Sequence, residues 1–316
     1  MTSNKKNGLA INILSGFINI LKKNHIKKHI IRIFNACGYS INKIQKTTSG
    51  DSSEKRVFND RDFVLERFYS IPQQTIDFCG DVFHGKTVLD LGCGDGVTDF
   101  GLLKLGIKKI YGLDIDNKND GHFDRAIKFA ESFGVQLPGN VKDAIEFINY
   151  DGTVFPLPDK SVDIIFSWSA FEHINKIPVV LAEMKRVLKN EGFCFIQVFP
   201  WFHTRYGGHL DFYITEPYFH LKYSNDLVKQ MLEDYIEKCR GDKKEVNEFS
   251  LMKFQYPGYV DLNRYSADMF YEDLKESGFK VVKAEVVSYV ENPSIAPPEL
   301  KLSEIMISGT KFILNP

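Results

Sequence analysis

An apolar run breaks into an acid and three alternate glycines at Val88, Leu89, Asp90, Leu91, Gly92, Cys93, Gly94, Asp95 and Gly96. A strand that ends this way lets a ligand touch backbone. Glycine removes the Cβ atoms that hold a bulky cofactor off the main chain, and it permits the dihedrals of a tight strand-to-helix turn. The dinucleotide fingerprint Gly-x-Gly-x-x-Gly needs its third glycine at position 97, where the chain has Val97. The spacing present is Asp90-x-Gly92-x-Gly94-x-Gly96, with a carboxylate two residues before the first glycine. A helix is expected over residues 97–105, then an apolar strand that ends in Asp114, Ile115 and Asp116. Asp114 lies 18 residues past Gly96, which suits a βαβ unit whose second strand ends beside the first. A carboxylate there can accept hydrogen bonds from both hydroxyls of a ribose; the alternative is a solvated acid at a strand end.

Two further blocks follow. Tyr150-Asp151-Gly152-Thr153-Val154-Phe155-Pro156-Leu157 leads into a strand expected at residues 164–166, ahead of Ser167. A helix expected over residues 178–189 carries Arg186-Val187-Leu188-Lys189-Asn190-Glu191-Gly192, before a strand at 193–198. Together with the glycine loop, these blocks resemble the class I S-adenosylmethionine (SAM) dependent methyltransferases over about residues 85–200, in the family's order. The resemblance implies an α/β, Rossmann-like fold with a seven-stranded, mostly parallel sheet and helices on both faces. It implies SAM as cofactor, held by Asp90, Gly92, Gly94, Gly96, Asp114, Ile115, Asp151, Gly152 and Ser167, with Asp151 meeting the adenine amino group. Asn190-Glu191 replaces the family's Pro-Gly, in what is expected to be a solvent-facing turn.

Methyl transfer to an alcohol needs a base, whereas an amine needs none. The candidate bases are His173, in Ser167-Trp168-Ser169-Ala170-Phe171-Glu172-His173, and His203 and His209, in the stretch that continues to Asp211. His173 matches a family stretch in which the histidine more often packs beside the cofactor pocket. Gly207-Gly208 before His209 implies close approach of backbone to another group, and histidine titrates near neutrality. No metal is expected, since only His203, His209 and Asp211 are spaced to suggest one.

These residues need a frame, and the composition supplies one. A chain of 316 residues with 43% apolar residues is long enough for one sizeable core with additions or for two small domains. Five cysteines without Cys-x-x-Cys spacing indicate reduced thiols and a cytoplasmic location. Residues 199–271, after the fifth strand, hold 17 aromatic residues in 73, against 13% overall. This insertion is expected to pack as a helical lid over the cofactor, with most of its rings forming the lid's own core. Two last strands are expected at residues 280–287 and 305–314.

The N-terminal 50 residues contain nine Lys or Arg and no acid, so the remaining 266 hold 31 basic and 41 acidic residues, a net of −10. Leu9, Ile13, Leu14, Phe17, Ile18 and Leu21 follow helical spacing, and no small-residue cleavage site follows. The run is too short for a membrane span, which takes about 20 residues. A basic amphipathic arm over residues 1–50 is therefore expected ahead of a methyltransferase domain over 51–316. Residues 1–34 would either lie on an anionic membrane surface or pack on protein. Phe34-Asn35-Ala36-Cys37-Gly38-Tyr39-Ser40-Ile41 is similar to the opening of several bacterial surface-polysaccharide enzymes.

The expected function is SAM-dependent methylation of a small-molecule or glycan acceptor at oxygen, in the cytoplasm or on the inner face of the membrane. The competing expectation is a SAM-binding sensor or assembly subunit without turnover, because fold does not fix function. Nucleic acid is not expected as a partner, given the acidic body and the lack of an Asn-Pro-Pro-Tyr-type tetrapeptide.

Overall fold

The computed structural model describes residues 41–46, 60–115, 121–288 and 295–316. The arm expected over residues 1–34 lies outside them. In chain order the first elements are β1 (Ile41–Lys46), α1 (Asp60–Leu65), a π turn (Glu66–Ser70) and α2 (Ile71–Cys79). Next come β2 (Thr87–Leu91), α3 (Val97–Leu102), β3 (Lys109–Asp114), α4 (His122–Ser132), α5 (Val141–Ala144) and β4 (Ile145–Asn149). They are followed by β5 (Val162–Trp168), α6 (Ile177–Val187) and β6 (Leu188–Val198). The insertion contributes α7 (Phe219–Lys222), α8 (Asn225–Gly241), α9 (Glu248–Ser250) and α10 (Tyr256–Val260). The chain closes with α11 (Ala267–Glu276), β7 (Lys280–Ser288), α12 (Leu302–Met306) and β8 (Gly309–Asn315).

The strands form one sheet in the order β1-β7-β8-β6-β5-β2-β3-β4, an α/β, Rossmann-like arrangement. β2 pairs in parallel with β3 (Leu89 with Tyr111) and with β5 (Leu89 with Ile165). Strand order therefore reverses beside β2, the switch point at whose carboxyl end α/β sheets open a crevice. Four of the five residues of β2 are buried, as expected of a central parallel strand covered on both faces.

The sheet has eight strands where seven were expected. The added strand, β1, pairs in parallel with β7 (Ile41 with Ala284, Lys46 with Ser288). It falls in the stretch assigned to the helical arm, whose helical spacing ends well before it. A short strand with lysines at positions 43 and 46 suits a sheet edge, where charge discourages further pairing. β6 also starts earlier than expected. Asn190 and Glu191 are exposed but lie within β6, not in a turn after α6. The register with β5 jumps from Val162–Leu188 to Ile164–Phe193, so this stretch bulges where Pro-Gly would have turned. The last strand starts later than expected, because α12 takes residues 302–306.

The chain divides into two compact units, and each has its own core. Among the described residues one unit comprises 60–198, 271–282 and 311–316, and the other 41–46, 199–270 and 283–310. In the first, Val88, Ile110, Ile164, Phe166 and Phe195 from the strands pack with Phe78 and Phe100 from the helices. Phe166 stacks on Phe195 at 5.6 Å, and Phe78 meets the same ring at 5.6 Å. Each such buried ring contributes on the order of 2 kcal/mol of apolar burial.

In the second unit, Val228, Leu232, Ile236 and Cys239 recur at helical spacing and form the buried face of α8, whose N-cap Ser224 Oγ accepts from the Leu227 amide at 3.3 Å. Val228, Leu232 and Ile236 pack with Leu210, Phe219, Leu251 and Tyr259. Trp201 is fully buried against Phe270, and its indole N–H donates to Thr310 Oγ1 at 3.2 Å. Much of the aromatic surplus of the insertion thus goes into its own interior.

Candidate functional site

The glycine loop forms by necessity at two positions. Gly92 and Gly96 have φ of +80° and +82°, in the left-handed region that side chains disfavour. A Cβ on Gly92 would stand 2.3 Å from the Ala170 Cβ, and one on Gly96 would stand 2.2 Å from the Phe147 ring. The loop is closed by backbone, since the amides of Gly92 and Cys93 both donate to the Leu113 carbonyl, at 2.8 and 3.1 Å. α3 follows at once, and all six of its residues are buried.

Asp114 ends β3, largely buried, and its Oδ2 accepts from the Gly94 amide at 2.7 Å. The end of β3 is held by Asn149, whose side-chain amide donates to the carbonyls of Asp114 (3.2 Å) and Ile115 (2.9 Å). Ile115 is 63% exposed although strongly apolar, and its Cγ2 lies 3.5 Å from where a Gly152 Cβ would stand. Asp151 is exposed, and its Oδ1 accepts from the Thr153 amide, the Thr153 hydroxyl and the Val154 amide. Those bonds hold its carboxyl down to about 2. The structure thus gathers Asp114, Ile115, Asp151 and Gly152 at the carboxyl ends of the paired strands β3 and β4.

On the other side of the loop is a cavity of about 190 Å3, lined by Asp90, Gly92, Cys93 and Thr98 and closed by Arg67, Trp168 and Ser169. Sequence reasoning missed Arg67. It sits in the π turn between α1 and α2, a kind of irregularity that recurs at functional sites. Its Nη1 is 3.3 Å from Asp95 Oδ1 and 3.6 Å from the Cβ position of Gly94. No spacing rule ties a residue so far upstream to the loop.

Asp90 is 2% exposed, and Asp99, nine residues further on in α3, is fully buried. Burial pushes the Asp90 carboxyl up to about 7, against the influence of Asp99, which lowers it. An acid inside an otherwise buried helical turn was the available signal for Asp99. Ser167 is wholly buried, and its hydroxyl donates to the Leu91 carbonyl at 2.8 Å. It ties β5 to β2, while its neighbours Trp168 and Ser169 face the cavity.

The candidate bases fall in both units. In the first, His173 is exposed, and its amide donates to the Ala170 carbonyl. Its neighbour Glu172 is 4% exposed, and burial pushes its carboxyl up to about 8. In the second, His203 Nδ1 lies 3.4 Å from Glu304 Oε1. His209 has φ +57°. Both act electrostatically on a third ring, His220, which the sequence reading did not single out. The close approach implied by Gly207-Gly208 is internal to this unit. A Cβ on Gly207 would stand 2.1 Å from the Phe202 carbonyl oxygen, and one on Gly208 would stand 2.4 Å from the Phe219 ring. Among the described residues no group of three or more His, Cys, Asp or Glu is placed to hold a metal ion.

The two remaining sequence blocks meet each other. Arg186 donates from Nη1 to the Leu157 carbonyl at 2.8 Å and from Nη2 to the Phe155 carbonyl at 2.9 Å. It also pairs with Asp159 and Glu183, and Glu183 Oε2 accepts from the Phe155 amide. Lys189 bonds Asp163 Oδ1, whose Oδ2 accepts from the Thr87 amide. The Arg-Val-Leu-Lys phrase therefore works as a clasp on the Phe155-Pro156-Leu157 turn and on the start of β2.

Comparison with known proteins places this site in a family. A methyltransferase domain model matches residues 89–196. The chain is 35% identical over 108 residues to a sterol 24-C-methyltransferase of Pneumocystis carinii, covering 34% of this chain and 26% of that protein. It is 28% identical over 152 residues to phosphoethanolamine N-methyltransferase 3 of Arabidopsis thaliana, covering 48% of this chain and 28% of that one. The chain thus spans little more than a quarter of these relatives' length. A solved SAM-dependent methyltransferase from Aquifex aeolicus is 17% identical with a TM-score of 0.43, covering 82% of this chain and all of the other. The loop, strand and clasp at residues 89–196 belong to the class I SAM-dependent methyltransferases, with SAM as their cofactor.

Proposed function

We propose that this protein transfers a methyl group from SAM to a small-molecule or glycan acceptor, at oxygen. The observation that carries the reading is the Asp114 carboxylate closed onto the Gly94 amide, in a loop held so closely against Ala170 and Phe147 that neither Gly92 nor Gly96 has room for a Cβ. The residues fit the cofactor. Asp114 offers acceptors to a ribose, the exposed Ile115 an apolar face to a base, and Arg67 a cation to a carboxylate. When bound, SAM supplies a methyl group already activated on a sulfonium. The chain's own task is to align an acceptor and take its proton.

For that proton His203 is the favoured candidate over His209 and His173. Glu304 Oε1 stands 3.4 Å from its Nδ1, the side from which a carboxylate orients a base imidazole. The small-molecule acceptor is supported by the names of the sterol and phosphoethanolamine relatives. Incubating the full chain with methyl-labelled SAM and small-molecule, lipid and glycan fractions tests the reading. Label in one of those fractions is expected; label confined to nucleic acid or protein would overturn it.

The basic N-terminal 50 residues support a cytoplasmic enzyme held on an anionic membrane surface through residues 1–34. Co-sedimentation with anionic vesicles that is lost when Lys22, Lys23, Lys27 and Lys28 are changed to Glu is the expected result. Equal sedimentation of the two proteins would contradict it.

A further inference from the structure

The unit built on the insertion holds a cavity of its own, about 550 Å3 in volume, within the range of small-molecule pockets, roughly 300–1,000 Å3. Phe202, His203, His220, Asn225, Asp226 and Arg264 carry its chemistry. His220 is 6% exposed, and its Nε2 donates to the Phe202 carbonyl at 2.7 Å, a bond that sets the tautomer because a carbonyl only accepts. Burial holds this ring down to about 4, so it is neutral and adds no charge. Any charge on His203 is matched by Glu304 within the protein.

Arg264 is the exception. Its backbone is left-handed, φ +62°, where a side chain larger than glycine's is disfavoured. Its guanidinium lies over the Phe202 ring at 5.7 Å and is matched by no ion pair among the described residues. A guanidinium stays protonated and presents forked donors that fit a carboxylate or a phosphate. Asp226, in the first turn of α8, is the acid at the same cavity. It opposes a second negative charge on the ligand. The contents of the cavity thus suit a neutral or zwitterionic body that carries one anionic group.

We propose that this cavity binds an acceptor through an anionic group, a carboxylate or a phosphate, seated on Arg264 over the Phe202 ring. That the ligand is the acceptor rests on the methyltransferase reading; the binding itself does not. Calorimetric titration of the full chain with inorganic phosphate and with acetate, and separately with SAM, tests the proposal. Saturable binding of at least one anion is expected, weakened at least tenfold by Arg264→Gly, kept within a few-fold by Arg264→Lys and tightened by Asp226→Asn. Glycine suits φ +62°, so Arg264→Gly should melt no lower than the parent and lose binding without losing the fold. Equal anion binding in Arg264→Gly, or saturable binding of neither anion by the parent, would overturn the proposal. SAM binding without anion binding leaves the methyltransferase reading standing and removes this one. Anion binding without SAM binding does the reverse.

Discussion

The Asp114 carboxylate accepts the Gly94 amide at 2.7 Å, so the acid at the end of one strand and the glycine loop at the end of its neighbour form a single device. The loop exposes amides, and the acid fixes one of them while standing 9% exposed at the crevice edge. That economy explains why the fold needs glycine here. Any Cβ at Gly96 runs into the Phe147 ring, the same ring that borders Gly112 in β3.

Gly96→Ala is expected to destabilise the protein by about 2–4 kcal/mol, since overpacking and a left-handed alanine each cost on the order of 1–2 kcal/mol. Phe147→Ala in the same chain should restore only the overpacking share. Urea unfolding of the single and double variants measures both. Full rescue by Phe147→Ala would show that φ +82° at Gly96 imposes no cost.

Arg186→Ala should cost about 2–3 kcal/mol by freeing the Phe155 and Leu157 carbonyls and leaving Glu183 without its ion pair. The same unfolding measurement reads it. A change below about 0.5 kcal/mol would mean that the clasp is only a surface ion pair.

Glu172 makes a pH prediction. Its carboxyl is pushed from 4.5 to about 8 by burial, so the folded state binds a proton that the unfolded state releases. The stabilisation is complete below about 4.5 and is lost as pH rises toward 8. Glu172→Gln, neutral at every pH, should remove that decline and be more stable than the parent at pH 8 by more than about 1 kcal/mol. Parallel stability curves for the two proteins from pH 5 to pH 8 would refute the assignment.

Arg67→Ala should weaken SAM binding about tenfold, the effect of losing one charge-assisted contact of about 1.4 kcal/mol. Melting temperature should hardly change, because the Arg67 pair with Asp95 is about one-third exposed on each side. Unchanged affinity would confine Arg67 to bracing Asp95.

How much of this was legible in the chain depended on whether local chemistry or distant contact decided each feature. The loop from Asp90 to Gly96 and the acid at Asp114 announce themselves, because strand length, helix length and glycine geometry are local. The phrase Arg186-Val187-Leu188-Lys189 was legible as a family mark, but its work as a clasp on Leu157 was not, since 29 residues separate the partners. Arg67 escaped for the same reason. The edge strand β1 was hidden by composition, because a lysine-bearing strand next to a basic helical pattern looks like more of that pattern. Ser167 shows the limit of analogy at single-residue level. In this chain its hydroxyl goes to Leu91, and the neighbouring side chains of β5 face the cavity.

The central claim is that the Asp114–Gly94 device holds the cofactor, and calorimetric titration with SAM of the parent and Asp114→Ala tests it most directly. We predict one SAM bound per chain by the parent and an affinity at least tenfold weaker in Asp114→Ala, from loss of charged hydrogen bonds of about 1.5–3 kcal/mol. Undiminished binding by Asp114→Ala, or no binding by the parent, would contradict the account.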